Sequence, residues 1–286
     1  MNAFMQATME MTDADLITSG SIAPQAEADL PPYRFVHALE TRVEALFRTV
    51  TGTGYWNDLI CPVTSDDRSQ AILREMLLSI HWYQAHTAEA SDIMFSRLPR
   101  KKLRTLDILR LQREQKSERG RWAFGDYLAL GGTQVSARML PPDPAIFAVT
   151  SVWWHMAEVE DPWAYLGAEY LFEYLTVKIA GPLLEMCTAR HIDTEPLHFL
   201  REHGASNLNH AQLIRELIVE TATRFPNTEA SILRGLDYFQ QVYPLPLWDA
   251  AYRRTLCAPG QTYRDPWLRY VDGLKPGSQH PDARSL

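Results

Sequence analysis

The sequence predicts an all-α protein built as one helical domain. Apolar residues recur at the spacing of an amphipathic helix along most of the chain, and no series of alternating β-strands or internal repeats interrupts them. With 286 residues, of which 46% are hydrophobic and 22% charged, the chain is long enough for one large soluble core. No glycine-rich nucleotide-binding loop is present.

The first two helices follow from their apolar stripes. The first is predicted from residues that recur at i, i+4, i+8 and i+11: Phe35, Leu39, Val43, Leu46 and Phe47. The stretch 52–54, Gly-Thr-Gly, ends it. The second helix is predicted from about Ser69 to Arg97.

The third helix is predicted from about Leu103 to Leu130. Its end is set by Gly131 and Gly132, because glycine accepts the left-handed conformation that closes many helices. Prolines fill the next connection, and a shorter helix is predicted from about Pro144 to Val159.

A central helix is predicted to begin at Asp161 and Pro162, since aspartate caps a helix and proline is tolerated in its first turn. The residues up to about Ile179 are apolar nearly all round, so this helix should lie at the centre of the bundle.

Two further helices complete the domain. One is predicted to open at residues 193–196 and run to about Thr223, and the other covers about Thr228 to Leu256, where Pro244 and Pro246 could break it. The predicted organisation is therefore a flexible leader over 1–30, a helical bundle over 31–257 and an irregular tail over 258–286.

Composition favours a cytoplasmic protein. The three cysteines, Cys61, Cys187 and Cys257, are too few and too widely spaced for a disulfide framework. The first 28 residues lack a secretion signal, and no apolar run reaches the length of a membrane span. The net charge of −7 and the absence of a clustered basic face argue against nucleic-acid binding.

Polar residues stand on the central helices where an apolar stripe would be simpler. Glu173 lies within an apolar run, where a carboxylate is costly to bury unless it is paired, protonated or bound to metal. Glu118 and Arg121 share a face of the third helix at i and i+3. Each has a plainer alternative: Glu173 could pair with Lys178 or a distant arginine, and Glu118 could lie on a solvated face.

The next helix carries His203, Asn207 and His210 at i, i+4 and i+7, so all three project from one stripe. A lone histidine on such a face is commonly a core residue. Two carboxylates and two imidazoles on three successive long helices are, however, the ligand inventory of carboxylate-bridged iron sites in helical bundles.

In these segments the sequence resembles the heme-oxygenase-like di-iron oxidases, relatives of the thiaminase and pyrroloquinoline-quinone synthase folds. Residues 117–122 (SERGRW) and 126–131 (DYLALG) resemble the family's E-x-x-H helix with its downstream D-L-x-x-L-G. Residues 165–173 (YLGAEYLFE) resemble its L-G-A-x-Y-x-x-E segment, and 203–210 (HGASNLNH) its H-x-x-x-D-x-x-H helix. The resemblance covers roughly residues 70–225 and implies a heme-oxygenase-like multi-helix bundle.

Carried over, the resemblance assigns Glu118 and His203 to one iron, and Glu173 and His210 to the other. Two ligand positions are substituted: Arg121 stands where the family has a histidine, and Asn207 stands where it has an aspartate. Arginine stays protonated and cannot coordinate iron, and the asparagine oxygen is a weaker ligand. The sequence therefore predicts at most one non-haem iron, with the Arg121 guanidinium replacing the charge of the second.

The resemblance implies an oxidase or oxygenase that uses dioxygen on a small amine- or carboxylate-bearing metabolite. Arg121, Glu173, His203 and His210 are the predicted catalytic residues, and Arg121, Asn207 and His81 the predicted substrate-binding residues. His81 also has core and surface interpretations.

Two alternatives stay open at the level of sequence. One is a metal-free, cofactorless oxidase of the quinone-cofactor-synthase type, and the other is a non-catalytic partner or ligand-binding protein on the same fold. A thiaminase-like activity would need a nucleophilic cysteine, for which Cys187 lacks an obvious base. A homodimer is compatible with the sequence, which leaves the oligomeric state open.

Overall fold

The structure of the protein, a computed structural model, describes residues 30–99, 103, 105–107, 119–139 and 143–256. The side chains of 85, 119, 139 and 205–209 are outside the description as well. The predicted leader before residue 30, the predicted tail and Glu118 therefore lie outside the described residues, and so does the side chain of Asn207.

Every regular element in the described part of the chain is an α-helix, which confirms the predicted all-α class. None of these helices combines the length and the hydropathy needed to cross a bilayer. In chain order they are α1 Pro31–Thr51, α2 Gly54–Ile60, α3 Asp66–Arg97, α4 Arg119–Ala129, α5 Gln134–Met139, α6 Pro144–Glu158, α7 Pro162–Ala189, α8 His198–Arg224, α9 Thr228–Gln240 and α10 Leu245–Thr255.

Helix α7 is the central helix, as its apolar sequence predicts. Its side chains are buried on almost every side between Ala164 and Cys187, and it packs chiefly against α8 and α9. The predicted start is confirmed, because the Asp161 side chain accepts a hydrogen bond from the Trp163 backbone N–H at 3.2 Å. The predicted glycine cap after α4 is confirmed too, since Gly131 has a φ of +83°.

Helices α7 and α9 touch backbone to backbone through two glycines. A Cβ atom at Gly167 would collide with the Ile232 carbonyl, and one at Gly235 would collide with the Ala164 carbonyl. Only glycine lets two helices approach this closely, so the pair sets the distance between α7 and α9.

The last predicted helix is divided into α9 and α10 at residues 241–244, next to Pro244, where a break was expected. Two other features differ from the prediction. The short helices α2 and α5 were not expected. The predicted start of α8 at residues 193–196 is wrong. Asp193 accepts from the Glu195 backbone N–H at 3.0 Å and so closes a turn, and the helix begins only at His198.

A cluster of aromatic rings fills the centre of the bundle between α6, α7 and α9. The ring centroid of Trp153 lies 4.8 Å from that of Tyr165 and 4.5 Å from that of Phe239, and Tyr243 follows 5.0 Å beyond Phe239. Phe172 lies 5.4 Å from Tyr243 and closes the group. Of these rings, Phe172 and Tyr243 also line an interior cavity.

Candidate functional site

A carboxylate and an imidazole face each other at the contact between α7 and α8. Glu173 and His210 are each only 1% exposed, and Oε1 of Glu173 lies 3.7 Å from Nδ1 of His210. A buried carboxylate is costly unless a positive charge compensates it. The geometry allows two kinds of compensation, an imidazolium on His210 or a cation held by both groups.

Glu173 is buried because nearly every face of α7 around it packs against the protein interior. Its neighbours Leu171, Phe172 and Leu175 are buried as well. The alternative partner Lys178 lies elsewhere on the helix and donates to the Glu44 carboxylate at 2.6 Å. Glu173 therefore points into the bundle, as its apolar surroundings predict.

His203 lies on α8 two turns before His210 and is 4% exposed. Its Nδ1 is 2.6 Å from the Phe199 carbonyl oxygen. A carbonyl oxygen only accepts, so Nδ1 carries a proton and donates it, and in the neutral imidazole Nε2 is the basic nitrogen. The ring stacks on Phe199 with centroids 3.9 Å apart, which fixes its orientation.

Two buried tyrosines lie near Glu173. Tyr83 and Tyr243 are hydrogen-bonded to each other, and Tyr243 also bonds to the Thr176 hydroxyl. Burial raises the pKa of both phenols, and the charge of the Glu173 carboxylate raises each pKa further. Both therefore keep their protons at neutral pH and can serve as hydrogen-bond donors.

An interior cavity lies between α3, α7, α8 and α10, and His203 forms part of its wall. Most of the wall is aliphatic or aromatic, and its polar atoms come from a few hydroxyls, the imidazole and one indole. The lining residues are Leu73, Met76, Leu77, Ile80, Tyr83, Phe172, Thr176, Ile179, Ala180, Leu183, Phe199, Leu200, His203, Tyr243 and Trp248.

Asp126 holds the N-terminus of the histidine-bearing helix. It is fully buried on α4, and its carboxylate accepts from the backbone N–H groups of Phe199 at 3.2 Å and Leu200 at 3.1 Å. Helix α8 has no capping side chain of its own. Asp126 thus replaces the missing cap from a distant point in the sequence.

Sequence reasoning did not single out Asp126 or Glu169 as functional candidates. Glu169 is 1% exposed and lies one turn before Glu173 on the inner part of α7. Its signal was present, because two glutamates four residues apart in an apolar helix share a face. Asp126 was noticed only as the first residue of the segment 126–131 that resembles D-L-x-x-L-G, and its role could not be predicted, since its partners are backbone groups about 70 residues away.

The structure brings together only part of the predicted site. Arg121 is exposed on α4, so its guanidinium lies at the protein surface rather than in the cavity wall. His81 hydrogen-bonds the Gly120 carbonyl at 2.9 Å and stacks on Phe124 at 4.6 Å, joining α3 to α4. The roles assigned to these two residues, and to Glu118 and Asn207, stay predictions.

Two further observations bear on the chemistry. Within the described residues, no three histidine, cysteine or acidic side chains are grouped closely enough to hold a metal ion. Burial raises the pKa of the Cys187 thiol to about 11, so it is protonated at neutral pH and is not set up as a nucleophile.

Comparison with known proteins identifies the fold. Neither a model of a protein family nor a curated protein matches the sequence. A solved structure from Shewanella denitrificans OS217, described as a domain of unknown function with a heme oxygenase-like fold, matches with a TM-score of 0.66 and 13% sequence identity. The match covers 86% of this chain and 98% of that one. The chain therefore has a heme-oxygenase-like, all-α fold.

Proposed function

We propose that the protein is an oxidoreductase that brings a small molecule and dioxygen together at the α7–α8 contact and holds at most one iron ion there. The observation that carries this proposal is the buried pair of Glu173 and His210. Its Oε1–Nδ1 separation of 3.7 Å is too long for a hydrogen bond. With metal–ligand bonds of about 2.1 Å, two donors of one ion lie roughly 3 to 3.7 Å apart.

The pair supplies two of the three protein donors that a 2-His-1-carboxylate iron site uses. The Nδ1 of His203 already donates to a carbonyl, as is usual for metal-bound histidines, but His203 is not grouped closely enough with Glu173 and His210 in this structure to be the third donor. Glu118 and Asn207, outside the description, are the candidates for that position. Bound iron would supply the electrons that activate dioxygen.

The protein's own groups would handle protons and orientation. Tyr83 and Tyr243 stay protonated and so add no negative charge beside Glu173. The stacking of His203 on Phe199 holds its imidazole in one orientation. Arg121, being exposed, would meet a substrate carboxylate only at the surface.

A metal-free oxidase is the second candidate, and the absence of a three-donor group among the described side chains favours it. Here an imidazolium on His210 would compensate Glu173, and Glu173 would serve as a general base. An electron-rich substrate would then reduce dioxygen directly. The same carboxylate and imidazole would be needed, so the two candidates differ in metal content and not in the residues involved.

The decisive experiment is metal analysis after anaerobic loading with Fe²⁺, followed by optical spectra on exposure to air. We expect up to one iron per chain in the parent protein and at least about a tenfold loss of affinity in Glu173→Gln and His210→Ala. Glu44→Gln is the matched control, because Glu44 pairs with Lys178 on the outside of the bundle.

The other outcomes each have a meaning. Two irons per chain would contradict the ligand count. No iron, together with oxygen consumption by chelator-treated protein, would select the metal-free oxidase. No iron and no oxygen consumption with any amine or carboxylate tested would overturn the enzymatic proposal in favour of a non-catalytic binding protein.

A further inference from the structure

The interior cavity has walls that suit hydrocarbon. The wall combines aliphatic side chains, such as Leu73, Leu77 and Leu183, with the aromatic rings of Phe172 and Tyr243. All five are at most 5% exposed, so these side chains belong to the packed core. Among the described residues that line it, none is a carboxylate, a lysine or an arginine.

Most polar atoms in the wall are already hydrogen-bonded, and the exception is the buried indole N–H of Trp248, which has no hydrogen-bond partner among the described residues. Tyr243 bonds to Tyr83 and to Thr176, and the Thr176 hydroxyl donates to the Phe172 carbonyl at 2.7 Å. His203 donates from Nδ1 to the Phe199 carbonyl. A charged group pushed into this space would lose its hydration and find little to replace it. An apolar group would lose nothing.

We propose that the cavity binds the alkyl part of a small amphiphilic molecule, with the polar end of that molecule at His203. His203 contributes the one imidazole among the described lining residues to this wall, and it lies on the helix that carries His210. The claim that this molecule is a substrate rests on the proposed function. Binding itself does not, because it requires neither iron nor dioxygen.

The first test is calorimetric titration of the full-length, metal-free protein with a homologous series of primary alcohols from butanol to octanol. Each added methylene buried in the cavity should tighten binding about fourfold, until the space is filled. The matched α,ω-diols must bury a second hydroxyl and should bind at least about fivefold more weakly than the alcohols of equal length.

Variants then place the binding in the cavity. Ala180→Leu puts three more carbons into the space and should abolish binding of the longer alcohols, and Leu183→Ala enlarges it and should move the best chain length upward. Ala129→Leu makes the same change as the first variant at an exposed position and should have no effect. Helical circular dichroism checks that each variant is folded.

The proposal is overturned if affinity does not depend on chain length, if the diols bind as well as the alcohols, or if Ala180→Leu and Leu183→Ala both bind like the parent. The protein could bind the alcohols in the predicted pattern and yet take up no iron and consume no oxygen. That result would support the proposed alkyl-binding site and would overturn the proposal that the protein is an oxidoreductase.

Discussion

At the scale of single residues, Asp126 gives the fold a pH dependence. Its carboxylate is buried against the start of α8, and burial raises its pKa from 3.8 to about 6, although the backbone N–H groups of Leu200 and Phe199 and the charge of His198 oppose the shift. Below pH 4 the residue is protonated in the folded and unfolded states alike. Between about pH 4 and 6 only the folded state holds the proton, so its stabilising contribution is lost as the pH rises through about 6.

Replacing Asp126 by asparagine should remove this dependence. All other carboxylates titrate alike in the two proteins, so the difference in unfolding free energy between wild type and Asp126→Asn isolates this one group. We expect the difference to move by roughly 3 kcal/mol in favour of the variant between pH 4 and pH 7. Urea unfolding at four pH values in this range measures it, and a difference that is constant with pH would contradict the assignment.

The candidate site shows which residues sequence can predict. Glu173 could be named because a carboxylate is costly to bury in an apolar helix, and His210 because it shares a stripe with His203 in a segment that resembles the family's histidine helix; the structure brings the two face to face. Arg121 was placed near the site by its spacing from Glu118 and by its position in the segment that resembles the family's E-x-x-H helix. That spacing fixes a shared face of the helix but not which way the face turns, and the structure leaves Arg121 exposed.

At the scale of helices, local signals predicted most of the boundaries. Asp161 and Gly131 act on groups within a few residues of themselves, so their effect can be seen in the sequence. The start of α8 was missed because its cap comes from Asp126 on another helix. The contact of α7 with α9 could not be predicted from the sequence either. Gly167 and Gly235 are required only because the backbone of the other helix lies against each of them.

That contact predicts a large asymmetry among glycine substitutions. Gly167→Ala should destabilise the protein by about 3 kcal/mol or more, because its new methyl group meets the Ile232 carbonyl, which is backbone and cannot swing away. Gly125→Ala, with nothing near its added methyl group, should be neutral or stabilise by up to about 1 kcal/mol. Chemical denaturation of both variants measures the contrast, and equal effects would mean that α7 and α9 do not touch as described.

At the scale of the whole molecule, a buried arginine fastens the last described helix to the rest of the bundle. Arg254 on α10 is 8% exposed and donates to the Glu75 carboxylate at 3.0 Å and to the Ser79 hydroxyl at 2.7 Å. It also approaches the Asp143 carboxylate, at 3.6 Å, which caps α6. One guanidinium therefore ties α10 to α3 and α6, and α10 contributes Trp248 to the cavity wall.

Removing this charge should loosen the closure of the bundle. Arg254→Met keeps much of the side-chain volume but leaves the nearly buried carboxylate of Asp143 without this cation and that of Glu75 with only Arg74, whose Nε lies 4.0 Å away. We expect a loss of about 3 to 5 kcal/mol in unfolding free energy. The neighbouring Arg253 pairs with Asp249 on the half-exposed side of the same helix, so Arg253→Met should cost no more than about 0.5 kcal/mol. Urea denaturation compares the two variants, and hydrogen exchange in α10 shows whether the helix opens first. If the two substitutions lower the unfolding free energy equally, then α10 is held by its apolar face alone, and the buried charge of Arg254 does not help to hold Trp248 in the cavity wall.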